Sequence, residues 1–244
     1  MDWSGAPASI VGGVIGAIAG GVPAWLIARS QSRETLKRDR EERTRQEKAL
    51  AFSAQVKLFI IVNSTIHDWA HVHRSLGELA DPRSAHMEPW QVVMPLVGQA
   101  GEQNIAMTPE ELAFFLAAGE NDFMHTILLL AQRHSAGQAA MKEYQVQRER
   151  MLELVPPPDE MEGLLGKAMI TEEELRRLRP RGAALNSLVK QIADGLNDNI
   201  GLCREASNKL GPILTRYFNE GGPKGLSFPS PEELSAMLTA EQAA

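Results

Sequence analysis

The sequence predicts an all-α protein, in which a single N-terminal transmembrane helix continues into a charged helical stalk and then into a cytoplasmic helical bundle with two or three long helices. Three observations carry this. Residues 9–28, SIVGGVIGAIAGGVPAWLIA, hold no charged side chain, whereas residues 29–48 are dense in charge of both signs. From Ala49 onward apolar residues recur at helical spacing, and no alternating run bounded by turn pairs predicts a strand or hairpin. The expected organisation is a short extracytoplasmic N-terminus (1–8), the span (9–28), the stalk (29–48), the bundle (49–220) and a tail with a short helix (221–244).

The span comes first. About 20 apolar or small residues rising 1.5 Å each cover roughly 30 Å, the thickness of a bilayer hydrocarbon core. Trp3 and Trp25 bracket it, where indoles favour the two interfaces, and Arg29 follows at the boundary. A cleaved signal peptide carries its positive charge before the apolar run, but the charged side chain there is Asp2, so an uncleaved anchor is expected. The competing reading, a buried helix of a soluble protein, is disfavoured because so long a segment that is apolar all round is rare in soluble domains.

Within the span Gly12, Gly16 and Gly20 recur every four residues, and Gly13, Ala17 and Gly21 form a parallel row. Small residues four apart let a second helix backbone approach closely, so self-association through this face is expected. Pro23 removes one helical hydrogen bond near the cytoplasmic end and predicts a kink there.

The stalk carries the basic residues Arg29, Arg33, Lys37, Arg38, Arg40, Arg43, Arg45 and Lys48 against Glu34, Asp39, Glu41, Glu42 and Glu47, a net +3. None of these bases has a counterpart before the span, which predicts an N-terminus outside and a C-terminal domain in the cytoplasm. The pairs Glu34–Arg38, Asp39–Arg43 and Glu41–Arg45 have the favourable i,i+4 order. The stalk has no a/d apolar repeat, and its interleaved acids weaken any attraction to anionic headgroups.

In the domain, Phe52, Val56, Phe59, Val62, Ile66, Trp69 and Leu76 predict a core-facing stripe on a helix running to about Ala80, ended by Asp81 and Pro82. Residues 83–107 read as a loop with one short helix near Trp90 to Val97. Thr108, Thr171 and Ser230 each stand three residues before a glutamate, the capping-box signature of a helix start, and Met107 with Leu112 and Ile170 with Leu175 match the accompanying hydrophobic staple. The helix after Thr108 is expected to stop near Gly119. A long helix capped by Asn121 or Asp122 then carries Phe123, Ile127, Leu130, His134, Met141, Val146 and Leu152, with three prolines from Pro156 ending it. A second long helix is expected from about Arg181 to Leu210, with Leu185, Leu188, Ile192, Leu196, Ile200 and Cys203 on one side, kinked or restarted at Pro212.

Composition excludes some functions. The chain carries a net charge of −6, so removing the stalk's +3 and the −1 of Asp2 leaves −8 on the domain. An acidic domain with no basic groove is a poor nucleic-acid binder. The single cysteine, Cys203, forms no intrachain disulfide and fits a reducing compartment, at an apolar position that favours an inert thiol.

Chemistry has one weak candidate, HDWAHVH, with His67, His71 and His73. His67 and His71 are four apart on one helical face, a spacing with which two imidazoles can converge on a metal, and Asp122 with His125 would complete the site if their helix packed alongside. The glutamate of HExxH is missing, and paired histidines flanking a core stripe are the commoner case. Phosphate-binding, nucleophile-elbow and CxxC motifs are absent, so no catalytic residue and no cofactor is expected. The expectation is a non-enzymatic, self-associating, single-pass protein of the bacterial inner membrane whose partners are the lipid bilayer, its own copies and a cytoplasmic protein, but not nucleic acid. A membrane-tethered metal-dependent enzyme or sensor at His67 and His71 stands as the alternative. A pore-forming or membrane-active assembly is the third.

Overall fold

In the computed structural model the described residues are 6–95, 105–156, 160–162, 165–167, 170–218, 228–230, 232–234 and 236; side chains are described from Trp25 onward, except that of Leu26 and those of 160–167. Apart from one pair of three-residue strands the described residues are helical or in connecting segments, with a long N-terminal helix. The helices are α1 (Ala6–Gly77), α2 (Pro89–Val92), α3 (Pro109–Ala117), α4 (Asn121–Leu152) and α5 (Glu172–Phe218), and a 3-10 turn, Glu78–Ala80, follows α1. The chain divides into two compact units, residues 1–49 and 50–244.

In the first unit the helical backbone starts at Ala6, and the side chains from Ile27 to Gln46 are exposed. The ion pairs found there are Lys37–Glu41 at 3.9 Å and Arg43–Glu47 at 3.2 Å, not the three expected pairs. Both place the base first, the weaker order against the helix dipole, and both are largely exposed on the Lys37 and Arg43 side, so each contributes little.

The second unit packs the later part of α1 against α3, α4 and α5. One buried cluster unites Ala51, Ala54, Leu58, Ile61, Val62 and Ile66 of α1 with Phe114 and Phe115 of α3, Phe123, Ile127 and Leu130 of α4, and Cys203, Leu210 and Leu214 of α5. A second cluster joins Val72, Trp90, Tyr144, Leu185, Val189 and Leu196. The inward face of α1 differs from the expected stripe. Val62 and Ile66 are buried, but Phe52, Val56 and Phe59 are exposed, and Trp69 and Leu76 are half-buried. Between Leu50 and Val62 apolar residues surround almost the whole helix, so periodicity cannot select a face. Small Ala51 and Ala54 let neighbouring backbones approach, and the side bearing them turns inward.

Local chemistry sets the helix starts. Thr108 Oγ1 accepts the Glu111 amide at 3.3 Å while Glu111 Oε2 accepts the Thr108 amide at 2.8 Å, and Thr171 with Glu174 and Ser230 with Glu233 repeat the exchange. Gly119, at φ +75°, ends α3 in the left-handed conformation, and Glu120 N donates to Phe115 O at 2.9 Å. That tight turn leads into α4 at Asn121 with no side-chain cap, so neither Asn121 nor Asp122 is the N-cap.

Along α4 the buried series is Phe123, Ile127, Leu130, His134, Tyr144 and Met151; Val146 is half-buried and Leu152 exposed. α5 starts at Glu172 rather than Arg181 and runs unbroken through Pro180 and Pro212. Both prolines are exposed, as are Arg176 and Asn208 four residues earlier, so water can reach the carbonyls deprived of an amide donor. Gly182 of α5 lies under α2, where an added Cβ would come within 3.2 Å of Glu88 Oε2 and 3.4 Å of Trp90 Nε1. The short strands β1 (Glu160–Glu162) and β2 (Leu165–Lys167) pair antiparallel, Glu160 opposite Lys167 and Glu162 opposite Leu165. Three-residue strands are too short to leave a readable alternation, which is why no hairpin was expected.

Candidate functional site

The histidine segment lies on the part of α1 that packs against α4 and α5. Thr65 and Asp68 are buried, His67 is exposed and His71 half-buried. His71 Nε2 lies 2.7 Å from the carbonyl of Met94; a carbonyl only accepts, so this nitrogen carries the proton. The His73 ring packs 5.0 Å from that of Trp69, and its buried Nε2 has no hydrogen-bond partner among the described residues. Trp69 Nε1 donates to Asn197 Oδ1 of α5 at 2.9 Å, and Gln138 Nε2 of α4 donates to Asp68 Oδ2 at 2.6 Å. Between α1 and α4, Thr65 Oγ1 donates to Ile61 O at 2.8 Å and lies 3.3 Å from His134 Nδ1. The hydroxyl hydrogen being committed to Ile61, the ring nitrogen is the donor to Thr65.

These contacts set the level at which α4 crosses α1. Thr65 meets His134 and Asp68 meets Gln138, whereas Asp122 and His125 lie nine to twelve residues earlier on α4, about 14–18 Å along its axis. The structure therefore does not bring Asp122 and His125 to His67 and His71. Among the described residues no group of three His, Cys, Asp or Glu side chains is placed to hold a metal ion. Replacing His67 and His71 together by Ala should leave the melting temperature nearly unchanged, with or without a chelator; a chelator-sensitive drop abolished in the double variant would establish a metal site.

Burial governs the other titratable groups. Cys203 is fully buried, and desolvation pushes its thiol up to about 12 against the smaller opposing effect of the neighbouring Thr65 side chain, so no thiolate nucleophile forms at neutral pH. Desolvation lowers the pKa of His134, keeping the imidazole neutral in the core. It also raises Tyr144 to about 12, partly offset by Arg148, and the Tyr144 hydroxyl donates at 2.5 Å to Val93 O, with Trp90 O 3.0 Å away. Glu111 is the most connected group: Ser53 Oγ donates to Oε1 at 2.5 Å, while Lys57 Nζ at 2.8 Å and the Thr108 amide at 2.8 Å donate to Oε2. Burial alone would raise its pKa; the donors from Lys57, Ser53 and Thr108 outweigh it and hold the carboxyl below its usual range. Lys57 also donates to Ala106 O, so this cluster ties the start of α3 to α1. Its groups are committed to one another, a structural arrangement that sequence reading did not pick out because its members lie 54 to 58 residues apart.

In the first unit the Arg29 guanidinium stacks on the Trp25 ring at 5.0 Å. Trp3 lies outside the described residues, as do the side-chain surroundings of Gly12, Gly13, Gly16, Ala17, Gly20 and Gly21. At 100° per residue Arg29, Arg33, Lys37 and Arg40 fall within an arc of about 80° that Glu34, Asp39, Glu41 and Glu42 do not enter, whereas Glu47, about two turns beyond Arg40, lies within it.

By length and composition α1 holds a stretch able to cross a membrane, as core helices of soluble proteins also do. Within Ile27–Ala80 the most apolar stretch is 44 % buried. Residues 29–48 are too charged to contribute, so that stretch is the segment beginning near Ala49 that packs into the domain core, and it is separate from residues 9–28. No family of known sequences, curated protein or solved structure matches the chain. Fold and residues alone therefore define the class, an all-helical protein with one long N-terminal helix.

Proposed function

We propose that the protein is anchored in a membrane by residues 9–28 and presents an all-α domain that binds protein partners, with self-association through the glycine rows of the span. The observation that carries the reading is the uncharged segment itself, long enough to cross a hydrocarbon core and followed at once by eight basic residues. Arg29, Arg33 and Arg40, on one side of the helix next to the span, support it, since bases beside an anionic leaflet contribute about 1 kcal/mol each within a Debye length of the surface, while Lys37 is paired with Glu41.

Alkaline carbonate extraction should leave the full-length chain in the membrane pellet and release a chain that begins at Ser30. Release of the full-length chain would refute the anchor. For topology, a reporter active only in the cytoplasm should work when fused after Ala244, and activity from a periplasm-dependent reporter alone would reverse the orientation. Replacing Gly16 by Ile should weaken association of the span in a membrane two-hybrid assay, because a β-branched side chain forces facing backbones apart.

A further inference from the structure

α1 buries one side of its domain segment and leaves the other bare. Phe52 is 58 % exposed, Val56 40 %, Phe59 49 % and Ile60 37 %, with Asn63 exposed beyond them. This is a contiguous apolar patch rather than scattered surface residues. It lies across the helix from Ala54, Leu58, Ile61 and Thr65, which face the core.

We propose that this face pairs with the same face of a second copy of the chain, in parallel; the inference rests on the membrane-anchored reading. Phe52, Val56, Phe59 and Asn63 are spaced four, three and four, the d-a-d-a seam of a left-handed helix pair. A β-branched residue and an asparagine at the a positions are the choices that favour two strands in one register. No charge interrupts the row, so two copies meet without like charges opposed. Area decides what kind of association this is. Side chains of this size about half exposed offer roughly 300 Å² per copy, against the roughly 800 Å² per partner of a standard stable interface. The face therefore does not hold two free copies together; it closes when spans in one bilayer raise the effective concentration. In the parallel arrangement each row residue meets its own counterpart.

Cysteine cross-linking of the full chain in native membranes tests this, the native Cys203 being buried. Asn63→Cys and Val56→Cys should form disulfide-linked dimers several-fold more readily than Ala139→Cys, an exposed control on α4. Adding Phe52→Glu and Phe59→Glu should abolish the Asn63→Cys dimer without changing the melting temperature, since both positions are exposed. Cross-linking no stronger than the control, or unaffected by the two glutamates, overturns the proposal. If the chain stays in the carbonate pellet while the dimer fails to form, the pairing is wrong and the anchor stands; if carbonate releases the full-length chain, the anchor fails and the pairing with it.

Discussion

Leu130→Ala should destabilise the domain by about 2–5 kcal/mol, the range for truncating a leucine in a packed core. Leu130 is fully buried in the cluster where α1, α3, α4 and α5 meet. Leu58 and Ile61 of α1, Phe115 of α3 and Leu210 of α5 belong to the same buried cluster, on helices whose spacing is set by many other contacts, so the space left by the side chain does not close and the lost contacts are not regained. The change is read as a shift in the denaturant midpoint with an unchanged slope, followed by the fluorescence of Trp69 and Trp90. A silent substitution would mean that α4 does not present this face to the core.

Lys57→Met should cost about 3 kcal/mol, because it leaves the Glu111 carboxylate buried without its cation. Glu111 retains 4 % of its side-chain exposure, so water cannot replace Lys57. The double variant Lys57→Met with Glu111→Gln should recover a large part of the loss, since no charge is then buried, and a double-mutant cycle isolates the coupling. The pair also sets an acid limit. The donors hold the folded carboxyl below its unfolded value. Its stabilisation is therefore fully present above the unfolded carboxylate value, near pH 4–5, and is lost as pH falls through the lower folded value. In Glu111→Gln that part of the acid-side slope should disappear. An unchanged slope would show that other carboxylates govern it.

The residues that announce themselves locally behaved as the sequence predicts. Thr108, Thr171 and Ser230 cap helices with glutamates three positions on, because an N-cap needs only a hydroxyl and backbone amides within one turn. Gly119 likewise ends α3 as a left-handed residue. Other expectations failed where the answer lay in another part of the chain. Pro180 reads locally as a boundary, yet α5 passes through it, because burial of Leu178, Gly182 and Leu185 against α2 and α4 outweighs one missing hydrogen bond on the wet side. Val146 and Leu152 were expected on the α4 stripe, and Tyr144 and Met151 occupy it, since the true 3.6-residue phase is set by where α1 and α5 lie.

By itself, then, the sequence determined that the chain is mainly helical, that capping boxes form at Thr108, Thr171 and Ser230, and that residues 9–28 are uncharged over a membrane's thickness: properties of neighbouring residues, expressed through backbone hydrogen bonds and solvation. Only the tertiary structure decided which side of α1 turns inward, that Asp122 and His125 stand a long way along α4 from the level of His67, and that Glu111 meets Lys57. Between Leu50 and Val62 nearly every face of the helix is apolar, so transfer from water favours no one orientation. The choice falls to the fit of Ala51, Ala54 and Leu58 against three other helices, and leaves Phe52, Val56 and Phe59 in solvent.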